Sequence, residues 1–197
     1  MNDLRSVLAE VAIALRSRDC AWALMGGLAV STYVEPRFTR DVDLAVTVAD
    51  DGEAERLVHS LQAGGYRMTM VLEQEARDPL ATVRLVPPGG SATAVVIDLM
   101  FASSGIEPEI CRDAQLLEVF SGGTVPVCRP GHLIALKVLA RDDRRRPQDL
   151  LDLRALVAHL EPAEHERARA ALALIQARGY DRGRELVKEL DRLLADG

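Results

Sequence analysis

Apolar residues recur at helical spacing at the start of the chain and throughout its last third. Residues 3–18 place apolar side chains at i, i+3, i+4 and i+7, and Asn2 or Asp3 stands where a capping residue belongs. The same pattern predicts further helices over 51–64, 107–119, 130–141, 147–160, 162–178 and 182–195. Prolines open the helices at Pro130 and Pro147, where a missing N–H costs little.

Shorter apolar runs predict strands between the early helices. They cover residues 21–27, 39–48, 81–86, 93–101 and 124–128, and a short helix over 28–34 follows the first of them. The turn sequence PPGGS between residues 86 and 92 predicts a hairpin. The pattern indicates an α+β fold with a sheet domain over 1–128 and a helical C-terminal region over 129–197.

Composition narrows the class of protein. The chain has 197 residues, a net charge of −6 and three widely spaced cysteines without a CxxC pair, which favours a reduced, cytoplasmic protein. No apolar run is long enough to span a membrane, and the N-terminus lacks the layout of a signal peptide. Residues 1–128 hold 10 basic and 18 acidic groups, whereas residues 129–197 hold 14 and 12. The first part could gather cations and the second could face phosphates, although both patterns also suit solvated surfaces.

Two aspartates with one residue between them interrupt the strand FTRDVDLAV. Side chains at i and i+2 of a strand share a face, so Asp41 and Asp43 project together while Val42, Leu44 and Val46 face the core. Two carboxylates so close repel each other unless donors or a cation compensate. One or two Mg²⁺ ions would do so, whereas a solvated sheet face is the simpler interpretation.

A third carboxylate, Asp98, lies in the most apolar strand, VVIDLMF. An ionised group there needs a partner, which is either a metal ion shared with the other two aspartates or an arginine. The four histidines show no metal-ligand spacing.

Residues around the first strand have the chemistry of a phosphate site. Gly26 and Gly27 let the backbone approach a ligand, or form a plain tight turn. Arg37 and Arg40 could hold phosphates or neutralise the aspartates, and Thr39 could bond to the turn.

The C-terminal region adds a lysine in an arginine-rich chain. The sequence has 22 arginines and two lysines, and Lys137 lies in an otherwise apolar helix. Its compact ammonium suits a triphosphate contact, or it could extend to solvent. Arg146, Asp149 and Asp152 follow at the start of the next helix, where acids also suit the helix dipole.

These segments together resemble a known family. The stretches GGLAVSTYVEPRFTRDVDLAV, VIDLMF and LIALKVLARDDRRRPQDLLDL are similar to the nucleotidyltransferase fold of the DNA polymerase β type, and within it to the AbiEii-type toxin nucleotidyltransferases. The resemblance covers about residues 20–157. It implies a nucleotidyltransferase fold with a mixed β-sheet flanked by helices. Gly27 stands where many relatives in the wider superfamily carry a serine.

The resemblance also implies roles by position. Asp41, Asp43 and Asp98 would be catalytic and would hold two Mg²⁺ ions, with Asp98 also a candidate base. The residues implied in binding the nucleoside triphosphate are Gly26, Gly27, Thr39, Arg40, Lys137, Arg146 and Asp149. The implied reaction moves an NMP from an NTP to a hydroxyl and releases pyrophosphate.

Three functions are compatible with this pattern. The first is the toxin of a toxin–antitoxin or phage-defence pair that modifies a macromolecule, with tRNA favoured as acceptor and an antitoxin as partner. The second is a nucleotidyltransferase for a small molecule of the aminoglycoside type, which the acidic N-terminal part suits. The third is a non-catalytic nucleotide-binding protein. An aromatic content of 4% gives no basis on which to argue for a base-stacking surface.

Overall fold

A computed structural model of the chain describes residues 3–73, 80–90, 95–142 and 147–195. Its strands are β1 (Trp22–Met25), β2 (Asp41–Val46), β3 (Arg67–Glu73), β4 (Leu80–Val86), β5 (Val96–Met100), β6 (Gln115–Phe120) and β7 (Gly123–Val127). Its helices are α1 (Leu4–Arg16), α2 (Gly26–Val30), α3 (Asp51–Ala63), α4 (Glu107–Asp113), α5 (Pro130–Ala140), α6 (Pro147–Ala158), α7 (Pro162–Ala177) and α8 (Leu186–Ala195). No helix in these ranges is long and apolar enough to cross a membrane.

The strands form one mixed sheet in the order β3-β4-β5-β2-β1-β7-β6. β2 runs antiparallel to β1 and parallel to β5, and β4 runs antiparallel to both β3 and β5. This arrangement confirms the predicted mixed sheet flanked by helices and the hairpin between β4 and β5. It also puts β2 between β1 and β5, so that residues of three strands that are neighbours in the sheet meet on one face.

Local sequence explains where the first helices begin. The Asp3 side chain accepts a hydrogen bond from the Ser6 N–H at 2.7 Å, and Asp50 does the same for Glu53 at 2.7 Å. Each of these aspartates satisfies an N–H that the helix leaves unpaired. The predicted helices over 3–18 and 51–64 are therefore confirmed to within two residues.

The predicted helix over 107–119 is wrong in its second half. α4 ends at Asp113, and β6 follows it to form an antiparallel hairpin with β7 around Gly122, whose φ is +77°. Exposure alternates along the first residues of β6, which is the period of a strand at the edge of a sheet. β3, another edge strand, was not predicted, although Arg67–Met70 alternate polar and apolar residues as a strand does. α8 starts at Leu186 rather than 182, since Arg182 (φ +55°) and Gly183 (φ +72°) have left-handed backbones.

The C-terminal helices pack on the sheet through a continuous apolar core. Leu133 and Ile134 of α5 are fully buried with Leu172 and Ile175 of α7, in the same cluster as the central strands. α5 packs on both α6 and α7. α5 also carries Lys137, whose charge acts on Asp43 of β2. The predicted division at 128/129 stays a prediction.

Candidate active site

Three aspartates lie on one face of β2 and β5. Asp43 is the direct neighbour of Asp98 in the parallel β2–β5 ladder, and Asp41 projects from the same face two residues earlier. The residues that alternate with them, Val42 and Leu44, are fully buried on the other face. The predicted orientation of the two β2 aspartates is confirmed, and the sheet register brings Asp98 beside them.

Burial and the neighbouring acids make Asp43 a weaker acid than usual. Burial raises the pKa of Asp43 to about 7, and the negative charges of Asp98 and Asp41 add to the effect. The Lys137 and Arg84 charges act in the opposite direction but do not offset it. A carboxylate held in this way gains stability from any additional cation. Oxygen ligands are also those that Mg²⁺ prefers, so the three aspartates match a magnesium site in the kind of ligand that they offer.

The Gly26–Gly27 turn leaves no room for side chains next to Asp43. Gly26 has a φ of +66°, and a Cβ there would stand 1.8 Å from Asp43 Oδ2. A Cβ on Gly27 would stand 2.6 Å from Nη2 of Arg37. Glycine is needed at Gly26 both for the left-handed backbone and for the close approach to the carboxylate. The two glycines thus bring bare backbone next to the acidic face.

Lys137 lies inside a network of ion pairs. Its Nζ donates to Asp149 Oδ1 at 2.6 Å and to Asp152 Oδ2 at 2.7 Å. Arg37 donates to Asp152 as well, through Nε and Nη2, each at 2.8 Å. Lys137 is 9% exposed, so the interpretation as a solvent-extended surface lysine does not hold.

Asp152 joins the two basic groups of this network. Burial acts to raise its pKa, but the hydrogen bonds from Arg37, Lys137 and Gln148 outweigh it and hold the pKa below its usual range. Asp152 therefore stays ionised and fixes both cations. Asp149 and Asp152 are three residues apart, which places them on the same face of α6. This spacing could have predicted from the sequence that both acids contact one lysine.

Arg84 is a site residue that the sequence interpretation missed. It stands opposite Asp98 in the antiparallel β4–β5 ladder and bonds to both of its carboxylate oxygens, at 2.7 and 2.6 Å. Among the described residues no three His, Cys, Asp or Glu side chains are already arranged as a metal site. The Asp98 oxygens point at Arg84 instead, as the arginine alternative predicted.

The segment before β2 holds the remaining predicted residues. Thr39 Oγ1 is 3.5 Å from the Asp41 N–H, which makes a weak contact. Arg40 is exposed, and its guanidinium lies 5.3 Å from the ring centre of Phe38. Arg146 lies outside the described residues.

Phe38 changes the expectation about stacking surfaces. All seven aromatic residues lie in the described part of the chain, and Phe38 is the one that is exposed, at 77%. It stands three positions before Asp41. A chain poor in aromatics therefore has one open ring, in the segment that leads into the strand of Asp41 and Asp43.

One cavity of the structure lies away from the aspartates. It has a volume of about 1170 Å³ between α6, α7 and α8, with Arg141, Arg154 and Arg192 among leucines in its walls. Neither the Gly26–Gly27 turn nor Asp43 lines it. The candidate active site is thus separate from this cavity.

Solved structures define the class to which this fold belongs. An antigenic nucleotidyltransferase-like protein from Paracoccidioides brasiliensis matches with a TM-score of 0.55 at 21% identity, over 98% of this chain and 92% of that chain. The solution structure of the antibiotic-resistance factor ANT(2'')-Ia matches with a TM-score of 0.55 at 16% identity, over 88% and 91%. The crystal structure of ANT(2'')-Ia in complex with adenylyl-2''-tobramycin also matches with a TM-score of 0.55, at 14% identity, over 88% of this chain and 97% of that chain. The fold is that of the nucleotidyltransferases.

The family follows from the sequence itself. The family model described as nucleotidyl transferase AbiEii toxin, type IV TA system, matches residues 7–196. The chain therefore belongs to the AbiEii nucleotidyltransferase toxin family, which confirms the resemblance seen in its motifs and makes the protein an enzyme of the nucleotidyltransferase class. Comparison with curated proteins gives no significant match.

Proposed function

We propose that the protein moves an NMP from an NTP to a hydroxyl of a macromolecular acceptor, with tRNA favoured, in a reaction that depends on Mg²⁺. The observation that carries this proposal is the set of three aspartates on adjacent strands beside the Gly26–Gly27 turn. Membership of a toxin family supports the role of a toxin with an antitoxin partner. NTPs and tRNA meet in the cytoplasm, which is where we place the reaction.

Asp41, Asp43 and Asp98 are the residues that would hold the two Mg²⁺ ions. When bound, such ions lower the pKa of an attacking hydroxyl and neutralise the charge of departing pyrophosphate. The raised pKa of Asp43 supports this assignment, because burial and the neighbouring charges of Asp98 and Asp41 disfavour its ionised form until a cation compensates.

The chain's own residues would orient the triphosphate. The backbone at Gly26 lies close to Asp43, so the N–H groups of the Gly26–Gly27 turn can meet phosphate oxygens near the acids. Lys137 uses two of its three N–H donors on Asp149 and Asp152, which leaves one for a phosphate. The acceptor oxygen would bond to the α-phosphorus as the bond to pyrophosphate breaks, and the hydroxyl proton would pass to a base, for which Asp98 is the candidate.

The surface beside the site favours a nucleic acid as acceptor. Phe38 offers an open ring on which an unpaired base could stack, and Arg40 adds a positive charge above it. Residues 129–197 carry two more basic than acidic groups, which suits a phosphate backbone.

The test is transfer of label from each α-labelled NTP, with Mg²⁺, to purified total tRNA. Asp43→Ala is the matched control, because it removes one carboxylate and leaves the Gly26–Gly27 turn free of new contacts. We expect label in tRNA with the wild-type protein and none with the variant.

Two further acceptors in the same assay separate the alternatives. Label that moves to an aminoglycoside and not to tRNA would replace the macromolecular acceptor with a small molecule. Wild-type protein that labels neither, nor any species in a bacterial lysate, would contradict the proposed reaction.

A further inference from the structure

Arg84 holds the carboxylate of Asp98 in a two-pronged ion pair. Its Nε donates to Oδ1 at 2.7 Å and its Nη2 donates to Oδ2 at 2.6 Å. The side chain of Asp98 is 9% exposed, while that of Arg84 is 37% exposed. Pairs of this geometry are strong because both bonds are charge-assisted and parallel. Asp98 is therefore already neutralised by a group of the protein itself.

The sheet register places this pair in an acidic row, formed by Asp41, Asp43 and Asp98 on one face of β2 and β5. Arg84 stands opposite Asp98 across β4–β5, and Asp98 stands opposite Asp43 across β5–β2. Directly paired residues of adjacent strands project from the same face. The Arg84 guanidinium is thus on the face that carries Asp41 and Asp43.

The other nearby basic groups have different partners. Lys137 is bonded to Asp149 and Asp152, and Arg37 is bonded to Asp152. In the described structure Arg84 is thus the cation bonded directly to the row, where it faces three acids. When all three are ionised, the row keeps a formal charge of −2, which is the charge that a divalent ion neutralises.

We propose that Arg84 is a resident cation that occupies Asp98 in the metal-free protein and competes with divalent ions for it. A cation that approaches Asp98 meets the guanidinium charge and oxygens already engaged in strong hydrogen bonds. A divalent ion must therefore displace Arg84 from Asp98 in order to bind. The strength of the Arg84–Asp98 pair thus sets the ion concentration at which the site fills. This inference rests on the proposed function, because it takes Asp98 as an ion ligand.

The test measures binding of Mn²⁺ alone to the full chain by titration calorimetry at neutral pH, without nucleotide. Arg84→Gln removes the charge, whereas Arg84→Lys keeps the charge but loses the two-pronged geometry. We expect Arg84→Gln to bind Mn²⁺ about tenfold more tightly than wild type or better, the equivalent of one charge-assisted hydrogen bond. Arg84→Lys should lie between the two.

A matched control is available elsewhere in the fold. Arg178 pairs with Glu109 through two bonds, at 3.0 and 2.7 Å, and its side chain is 38% exposed. Arg178→Gln should leave the affinity for Mn²⁺ unchanged. A second readout is the melting temperature, which for Arg84→Gln should fall in a chelator and recover in Mn²⁺ by more than that of wild type.

The outcomes separate this inference from the function beneath it. If wild type binds Mn²⁺ and Asp43→Asn does not, but Arg84→Gln binds with equal or weaker affinity than wild type, the competition is refuted and the metal site stands. If neither wild type nor Arg84→Gln binds Mn²⁺, or if Asp43→Asn binds as wild type does, both the inference and the metal site are refuted.

Discussion

Replacing Lys137 by methionine tests whether the lysine serves the reaction or only the ion pairs around it. The change keeps an unbranched side chain, one atom shorter, and removes its charge. It withdraws two hydrogen bonds, at 2.6 and 2.7 Å, from Asp149 and Asp152, whose side chains are 15% and 3% exposed. Arg37 remains bonded to Asp152, so the loss falls mainly on Asp149.

The expected cost can be set from these contacts. Removing one partner of a buried ion pair costs about 3–5 kcal/mol. Because Asp152 keeps both bonds from Arg37 and Asp149 is partly exposed, we expect about 3 kcal/mol of unfolding free energy to be lost. Urea unfolding of wild type and Lys137→Met measures this loss directly.

A second substitution separates the two roles. Asp149→Asn removes the acid that Lys137→Met leaves behind, so the double variant should recover much of the lost stability. Transfer of labelled NMP should nevertheless stay about 100-fold below that of Asp149→Asn alone, because a donor to the triphosphate is still missing. Equal rates for Asp149→Asn and the double variant would show that Lys137 acts only by neutralising Asp149.

Three further predictions concern the glycine turn, a buried histidine and the exposed phenylalanine. Gly26→Ala should lower transfer activity at least tenfold, since its Cβ would overlap Asp43. Gly89→Ala, at a similar φ of +69° with open space around it, should cost only about 1–2 kcal/mol in urea unfolding and leave activity intact. Burial lowers the pKa of His132 to about 4, so the stability it provides is complete above pH 6.5 and is lost as the pH falls towards 4. Unfolding at pH 7 and pH 5 should show about 2 kcal/mol more loss in wild type than in His132→Gln, and equal losses would contradict the assignment. Phe38→Ala should raise the KM for an RNA acceptor about 5- to 150-fold while Phe38→Tyr does not, and an unchanged KM for both would exclude stacking there.

Much of the site could be predicted from local patterns. The period of two along a strand places Asp41 and Asp43 on one face whatever the strand packs against, and the burial of Val42 and Leu44 on the other face confirms it. The caps at Asp3 and Asp50 likewise depend on residues three positions away. These features are encoded within a few residues, so the sequence by itself determined them.

The tertiary structure decided which charges meet. Arg37 and Asp152 are 115 residues apart in the chain, and the bond between Arg84 and Asp98 depends on the register of β4 against β5. A strand shifted by one residue would turn Arg84 to the other face. The raised pKa of Asp43 is likewise a property of its surroundings, because burial and two neighbouring acids produce it. Electrostatic energy depends on distance and on exclusion of water, and neither quantity exists until the chain has folded.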